Sequence, residues 1–455
     1  MQQKATILSL VCLSWIGFIF WTLGINQQSC ALAIAGIALV LWLSESVAAF
    51  VPTFVLIAGI LGIHTFFPSS GAQSTDPARE IFRKMADPVL GLFFCGMCLG
   101  LVLRKHGVDH FVAQWVNRLS GGSPIKNLRI SMLATAGFAM WTTNTTAMAI
   151  CLPAFGKTIQ KLESEHPRQA KGLLIALALA ANFGGMITPI GTAPNAIAIA
   201  AVANTAQISF ALWMAVMLPL AALMLVATEM LVRGFFSFGK QRNYSGPIIA
   251  ESHSESAKVT LHVGSSILFA VTVLLWLTEP IHGIHPLAVG FGAAGVAFGT
   301  GMLGREDLAK IDWDVLLLIA GGLLLGNLLE QAGVLERFSL AIQSQHLSLQ
   351  LQLGIIVLLA AVGSAVSSNT ATAVLLIPVA LKIAPESPAA AAIAVAAGCS
   401  LGVPFTISTP ANALIAGRHG VGNKDLAKVG LPLMIGGCVF VAATAEWFIR
   451  LVIKI

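Results

Sequence analysis

The sequence predicts an all-α polytopic membrane protein. It has about 11 transmembrane helices and two re-entrant helical hairpins, arranged as two inverted repeats. Three observations predict this. Of 455 residues, 56% are hydrophobic and only 10% are charged, against about 25% charged in a soluble domain; mean hydropathy is +0.85. Apolar runs near the length of a bilayer span recur along the whole chain. Two apolar segments are too long for one span, and each is broken in its middle by the same kind of polar cluster.

Residues 1–28 carry one early Lys and then an apolar stretch from Ala5 to Gly24, without a small-x-small cleavage site. They read as a first transmembrane helix, about 6–24, and not as a removed signal. The first repeat is 29–235. It holds spans near 29–44, 47–65 and 88–104, a hairpin at about 127–157, a broken helix at about 171–203 and a span near 207–233. A polar, cytoplasmic linker occupies 236–262. The second repeat, 263–455, has spans near 263–279, 285–303 and 313–331, a hairpin at about 351–383, a broken helix at about 389–416 and a span near 428–451. Each hairpin arm is expected to be about 12–15 residues, too short to cross ~30 Å at ~1.5 Å per residue.

The repeat is visible residue by residue. LWLSESVAAFVP (41–52) matches LWLTEPIHGIHP (275–286). GMCLGLVLRKHGV (96–108) matches GLLLGNLLEQAGV (322–334). TTNTTAMAICLP (142–153) matches SSNTATAVLLIP (367–378), and GTAPNA (191–196) matches STPANA (408–413). The order is kept at a nearly constant offset. Five crossing spans and one hairpin per half invert the second copy relative to the first, a signature of secondary transporters. With the N-terminus cytoplasmic and the C-terminus external, 19 of the 26 Lys and Arg residues fall inside and 7 outside, as positive-inside topology requires.

Other features carry little chemistry. The 7 Cys are scattered and read as small apolar helix residues. His282 and His285 read as a polar helix end. With 1 Tyr, any aromatic belt rests on 9 Trp and 24 Phe. The pI near 9.0 is explained by basic loops and needs no nucleic acid. Glu45, Glu279, Asp87, Asp312, Asp314 and Glu330 lie near span ends, where a solvated end or cap competes with a functional intramembrane acid.

The chemistry is expected at the polar clusters. An unpartnered amide or hydroxyl in an apolar medium costs about 2–7 kcal/mol, so TTNTT at membrane depth needs a reason. Helix–helix contact through small polar residues is one. A hairpin tip is another: helix N-termini offer N–H groups and a positive dipole end to an anion, and neutral oxygens suit a hard cation. TPIGTAPNAIA (188–198) and TISTPANALIA (406–416) place Pro, Gly and hydroxyls inside long apolar spans. They fit either a proline kink or an unwound segment facing a hairpin tip. No acid lies in either Asn-Thr cluster, which argues against a carboxylate proton relay there.

On these residues the sequence resembles the divalent anion/sodium symporter family, which includes sodium-coupled di- and tricarboxylate and sulfate transporters. The resemblance rests on Thr143-Asn144-Thr145 and Ser368-Asn369-Thr370, on Thr192-Ala193-Pro194-Asn195 and Thr409-Pro410-Ala411-Asn412, and on the WLSES and WLTEP stretches. It implies one sodium site from Ala139, Thr143, Asn144 and Gly191, and another from Ser364, Ser368, Asn369 and Ser408. It implies substrate contacts from Asn144, Thr145, Thr192, Asn369, Thr370, Thr409 and Pro410. It further implies a homodimer in a bacterial plasma (inner) membrane, with scaffold and elevator-type transport domains. Thr143 stands where the family has Ser, and Ala193 and Ala411 each replace one Pro of a pair.

The expectation is therefore a secondary transporter and no enzyme: sodium-coupled symport of a divalent organic anion, with Na+ the coupling ion and no other cofactor. C4 dicarboxylates (succinate, malate, fumarate) lead. A sodium-independent di/tricarboxylate exchanger and a sulfate/sodium symporter on the same fold are the alternatives. A channel fits the paired inverted hairpins poorly, and a membrane enzyme lacks a base beside its hydroxyls.

Overall fold

A computed structural model describes residues 2–44, 46–48, 50–67, 76–107, 119, 123–206, 208–238, 263–333 and 347–453. Glu45 and the linker beyond residue 238 therefore lie outside the described residues. The described residues are helical and contain no strand. In order, the helices are α1 (Gln2–Leu23), α2 (Gln27–Ser44), α3 (Val51–Phe66), α4 (Pro77–Met85), α5 (Pro88–Lys105), α6 (Pro124–Ala139), α7 (Asn144–Ala154), α8 (Gly156–Glu165), α9 (Pro167–Gly185), α10 (Ala193–Val202) and α11 (Phe210–Phe235). There follow α12 (Val263–Leu277), α13 (Glu279–His282), α14 (Pro286–Gly299), α15 (Arg305–Leu308), α16 (Trp313–Gln331), α17 (Leu349–Val366), α18 (Asn369–Ile383), α19 (Pro388–Leu401), α20 (Pro410–Ile415) and α21 (Asn423–Ile453).

Among the described residues, six segments are long and apolar enough to cross a membrane whole, including Gln27–Ser44, Phe210–Phe235 and Trp313–Gln331. Several other apolar helices are shorter, including Ala193–Val202 and Pro388–Leu401. Their shortness comes from the breaks. α9 gives way to α10 after Gly185, and α19 ends at Leu401 with α20 starting at Pro410. The hairpins correct one expectation. Their arms are not uniformly short: α6 has 16 residues and α17 has 18, so α17 is itself span-length. What makes these segments hairpins is the break between the arms, at 140–143 and at Ser367–Ser368, and the packing of each arm on its mate. α4 was also not anticipated. It is a short amphipathic helix that buries Ile81, and Asn327 of α16 donates to Glu80 at 2.7 Å.

The interior is built on α9 and α19, which are Ala-rich and buried on almost every face. A helix apolar all round belongs in a core. The long hairpin arms lie directly on them, α6 on α9 and α17 on α19. The contact is backbone to backbone: a Cβ on Gly184 would lie 2.4 Å from the Ala136 carbonyl oxygen, and one on Gly398 would lie 2.5 Å from that of Val357. Small residues allow this approach, which replaces the missing hydrophobic drive between helices in lipid.

Ion pairs join residues that the sequence assigns to the same membrane face: Lys105 with Asp307, Lys171 with Asp425, Arg129 with Glu229, and Lys382 with Glu330. Two more of the end-of-span acids have structural roles, whereas Asp312 stands at the start of α16 without a side-chain cap bond. Asp87 caps α5 by accepting from Val89 N, and Glu279 accepts from Phe210 N at 3.1 Å. His285 caps α14, and His282 accepts from Ile284 N.

Asp307 is 2% exposed and accepts from Gly304 N, Lys105 and Lys310 at 2.6–2.8 Å. The Gly304 amide, then the two ammonium groups, hold its carboxyl well below the usual carboxylate range. A depressed folded-state value stabilises the fold above the unfolded value of ~3.9, and the stabilisation is lost as pH falls through the folded value. Asp307→Asn is expected to destabilise the protein by about 1–3 kcal/mol at neutral pH. Thermal unfolding in detergent checks this, and the difference from wild type should shrink as pH falls below that of ordinary carboxylates.

Candidate functional site

Four helix N-termini meet around one cavity of about 530 Å³. α7 and α18 begin at Asn144 and Asn369, the two hairpin tips; α10 and α20 begin after Thr192 and Thr409, the two breaks. The same local chemistry builds three of the four starts; Thr192, extended like the others, makes no side-chain cap bond. Thr143, Ser368 and Thr409 are extended N-caps whose hydroxyls accept from Thr146 N, Ala371 N and Asn412 N. A hydroxyl followed by a helix former thus ends one arm and starts the next within a few residues.

The cavity brings together nearly every residue expected from sequence: Thr143, Asn144, Thr145, Gly191, Thr192, Ser368, Asn369, Thr370, Ser408, Thr409 and Pro410. Phe93 and Val315 close it from α5 and α16. Ala139 and Ser364 are fully buried and sit outside the lining. Among the described lining residues none is Lys, Arg, His, Asp or Glu. An anion there meets only neutral groups and helix N-termini. Those offer N–H groups without intrahelical acceptors and the positive ends of backbone dipoles.

The breaks are held by two side-chain amides that the repeat makes equivalent. Asn195 Nδ2 donates to the carbonyls of Gly185 at 3.1 Å, Met186 at 3.4 Å and Thr188 at 2.7 Å. Asn412 Nδ2 donates to those of Val403 at 3.0 Å and Phe405 at 2.9 Å. Thr188 Oγ1 further donates to the Met140 carbonyl, tying the first break to the first tip. These amides supply the partners that unwinding removes, so the segments are true breaks and not proline kinks.

Both proposed cation positions show oxygens with incomplete partnering. At the first, Asn144 Oδ1 and Thr192 Oγ1 are buried and have no hydrogen-bond partner among the described residues. Gly185 makes the room: a Cβ there would lie 2.1 Å from Asn144 Oδ1. At the second, Ser364 Oγ lies 2.6 Å from Asn369 Oδ1 and 2.7 Å from the Cys399 carbonyl. One hydroxyl proton serves one of these two acceptors at a time, so the other is left without a donor from Ser364. Neutral hard oxygens of this kind suit Na+. Ser408 Oγ, by contrast, already donates to the Ala365 carbonyl at 2.7 Å and accepts from Phe405 N. Its hydroxyl is therefore committed to the backbone.

Two features escaped the sequence reading. Trp141, next to the first tip, stacks on Phe210 at 6.0 Å and Trp276 at 6.3 Å and meets Phe269 edge-on. Its counterpart in the second copy is Val366, 63% exposed, so one tip is clamped by aromatics and the other is not. Asn182, 1% exposed in the apolar last turn of α9, bonds Asn144, Thr409 and Asn412. A polar residue in IALALAANFGGM was the available signal. The repeat hid it, because its counterpart is Ser400, a shorter side chain that is buried without a partner among the described residues.

Two re-entrant tips and two broken helices enclosing one polar cavity inside a membrane-spanning bundle define a membrane transporter. The chain belongs to the citrate transporter family CitMHS, within the divalent anion/sodium symporter superfamily; the family matches residues 31–398 and 284–455. It is 29% identical over 445 residues to an uncharacterized transporter of Haemophilus influenzae, covering 92% of this chain and 91% of the relative. It is 26% identical to the sodium-dependent dicarboxylate transporter SdcS of Staphylococcus aureus, covering 83% and 79%. A low-affinity phosphate transporter of Saccharomyces cerevisiae is also 26% identical, over 82% of this chain but 43% of that protein. Among solved structures, the Alcanivorax borkumensis YdaH transporter matches with a TM-score of 0.61 at 13% identity, covering 88% of this chain and 98% of that one. That likeness concerns the fold.

Gly185→Ala is expected to displace the Asn144 amide and lower transport by about tenfold or more. Uptake normalised to protein in the membrane checks this, with membrane abundance unchanged.

Proposed function

We propose that the protein is a sodium-coupled symporter of divalent organic anions, with C4 dicarboxylates such as succinate, malate and fumarate as the leading substrates. One observation carries the reading. Both Asn-Thr tips and both break hydroxyls line a single cavity that has no charged side chain among its described residues. Two carboxylates moved out of water need compensating charge, and the under-satisfied oxygens beside Asn144 and Asn369 offer places for sodium to supply it. An exchanger that works without sodium would be better served by a fixed cationic side chain at the cavity. The similarity to SdcS supports both the ion and the substrate class.

Within this reading each carboxylate meets one tip and the facing break: Asn144, Thr145 and Thr192 on one side, Asn369, Thr370, Thr409 and Pro410 on the other. One sodium takes Asn144, Thr143 and the backbone near Ala139 and Gly191. The other takes Asn369, Ser368, Ser364 and the backbone near Ser408. The halves 29–235 and 263–455 act as inverted repeats. The hairpins and broken helices move as a transport domain against a scaffold, in an elevator-type cycle within a homodimer of the bacterial inner membrane, N-terminus inside. Citrate and phosphate are the competing substrates that the family description and the yeast relative favour.

Labelled succinate uptake into proteoliposomes should require an inward sodium gradient; equal uptake in choline would refute symport. Excess citrate, sulfate or phosphate that abolishes uptake would reassign the substrate. Asn144→Ala and Asn369→Ala should each reduce uptake to background while the protein remains in the membrane. Wild-type uptake by either variant would overturn the site.

A further inference from the structure

We propose that Asn182 is a positioning residue that sets the direction of the Asn144 amide from the backbone of the opposite repeat, and so prepares the first sodium site. The proposal rests on the sodium-coupled reading above.

The argument follows donors and acceptors along a chain of three side-chain amides. The carbonyls of Val403 and Phe405 can only accept, so Asn412 must present Nδ2 to them, at 3.0 and 2.9 Å. Its Oδ1 then faces Asn182, which must present Nδ2, at 3.1 Å. The same Nδ2 reaches Thr409 Oγ1 at 3.2 Å, so both of its hydrogens are used. Asn182 Oδ1 is left facing Asn144, which must present its own Nδ2, at 3.1 Å. Asn144 Oδ1 is therefore turned the other way. There it lies above Gly185 beside Thr192, and both Asn144 Oδ1 and Thr192 Oγ1 are buried without a partner among the described residues. The polarity of every amide in the chain is fixed at one end by backbone that cannot donate. A buried network of this kind holds one arrangement because each reversal would set like against like.

The chain crosses the molecule. It starts in the second break, passes through α9 of the first repeat and ends at the first hairpin tip. Unwinding between Leu401 and Pro410, which exposes the Val403 and Phe405 carbonyls, is thus linked to the readiness of a cation site formed by the other copy. The second site has no equivalent relay: Ser400 stands at the position of Asn182 and its hydroxyl is buried without a partner among the described residues. The two half-sites are alike in shape but not in wiring.

The test uses purified full-length protein titrated with sodium against choline at constant ionic strength, read as sodium-dependent thermal stabilisation. This readout needs no knowledge of the transported anion. Asn182→Leu removes the relay and is expected to raise half-saturating sodium by about tenfold. Asn182→Ser, too short to reach its partners, should do the same if the leucine variant fails to fold. Asn182→Asp still accepts from Asn144 Nδ2, so it should keep Asn144 Oδ1 turned to the ion and bind sodium within about threefold of wild type, or tighter. Equal weakening by Leu, Ser and Asp would mean a packing role and would overturn the proposal, as would unchanged sodium dependence in all three. A wild type that sodium does not stabilise would instead overturn the sodium reading itself, and the proposal with it.

Discussion

Everything at the site depends on how two broken helices satisfy their backbone inside a membrane. Each break frees carbonyls that no water in the bilayer can meet. Asn195 and Asn412 meet them with their side-chain amides, and the hydroxyls of Thr188 and Ser408 tie the breaks to the adjacent hairpin tips. Once a break is held in this way, the helix that restarts beyond it points its N-terminus at the cavity. The TAPN and TPAN stretches are thus structural first: the Asn holds the break, and the hydroxyl at the restart faces the cavity.

The same constraint explains the electrostatics. A cavity walled by neutral groups and helix ends can hold an anion only if charge arrives with it, because helix dipoles supply partial compensation at best. The oxygens near Asn144 and Asn369 are correspondingly short of donors. In the proposed reading the chain carries affinity for the cation and for the anion in adjacent positions, with Asn144 and Asn369 belonging to both, and coupling needs no dedicated charged residue.

Much of this was legible in sequence because the repeat doubled the signal. One TTNTT in an apolar segment is ambiguous, and the paired SSNTA with a downstream Pro-Asn partner is not. The tips, the breaks and eleven of the residues lining the cavity were readable in this way. Arm lengths were not, because an apolar run does not mark where a buried arm ends; α17 proved long enough to span. The bond network was also hidden. Asn182 has Ser400 as its counterpart and Trp141 has Val366, so a search for matched residues passes over both. The asymmetry between the halves lies in such unmatched positions, since what the copies share must serve both orientations and what they do not share can serve one. α4 was missed for another reason: it is short and amphipathic, and a search for apolar spans does not register it.

The central claim is that sodium provides the charge that lets a neutral cavity bind a dianion. Calorimetric titration of succinate into purified protein over a range of sodium concentrations tests it most directly. The account predicts that the logarithm of the association constant rises with the logarithm of sodium concentration with a slope above about 1, and that binding vanishes in choline. A succinate affinity independent of sodium would contradict it.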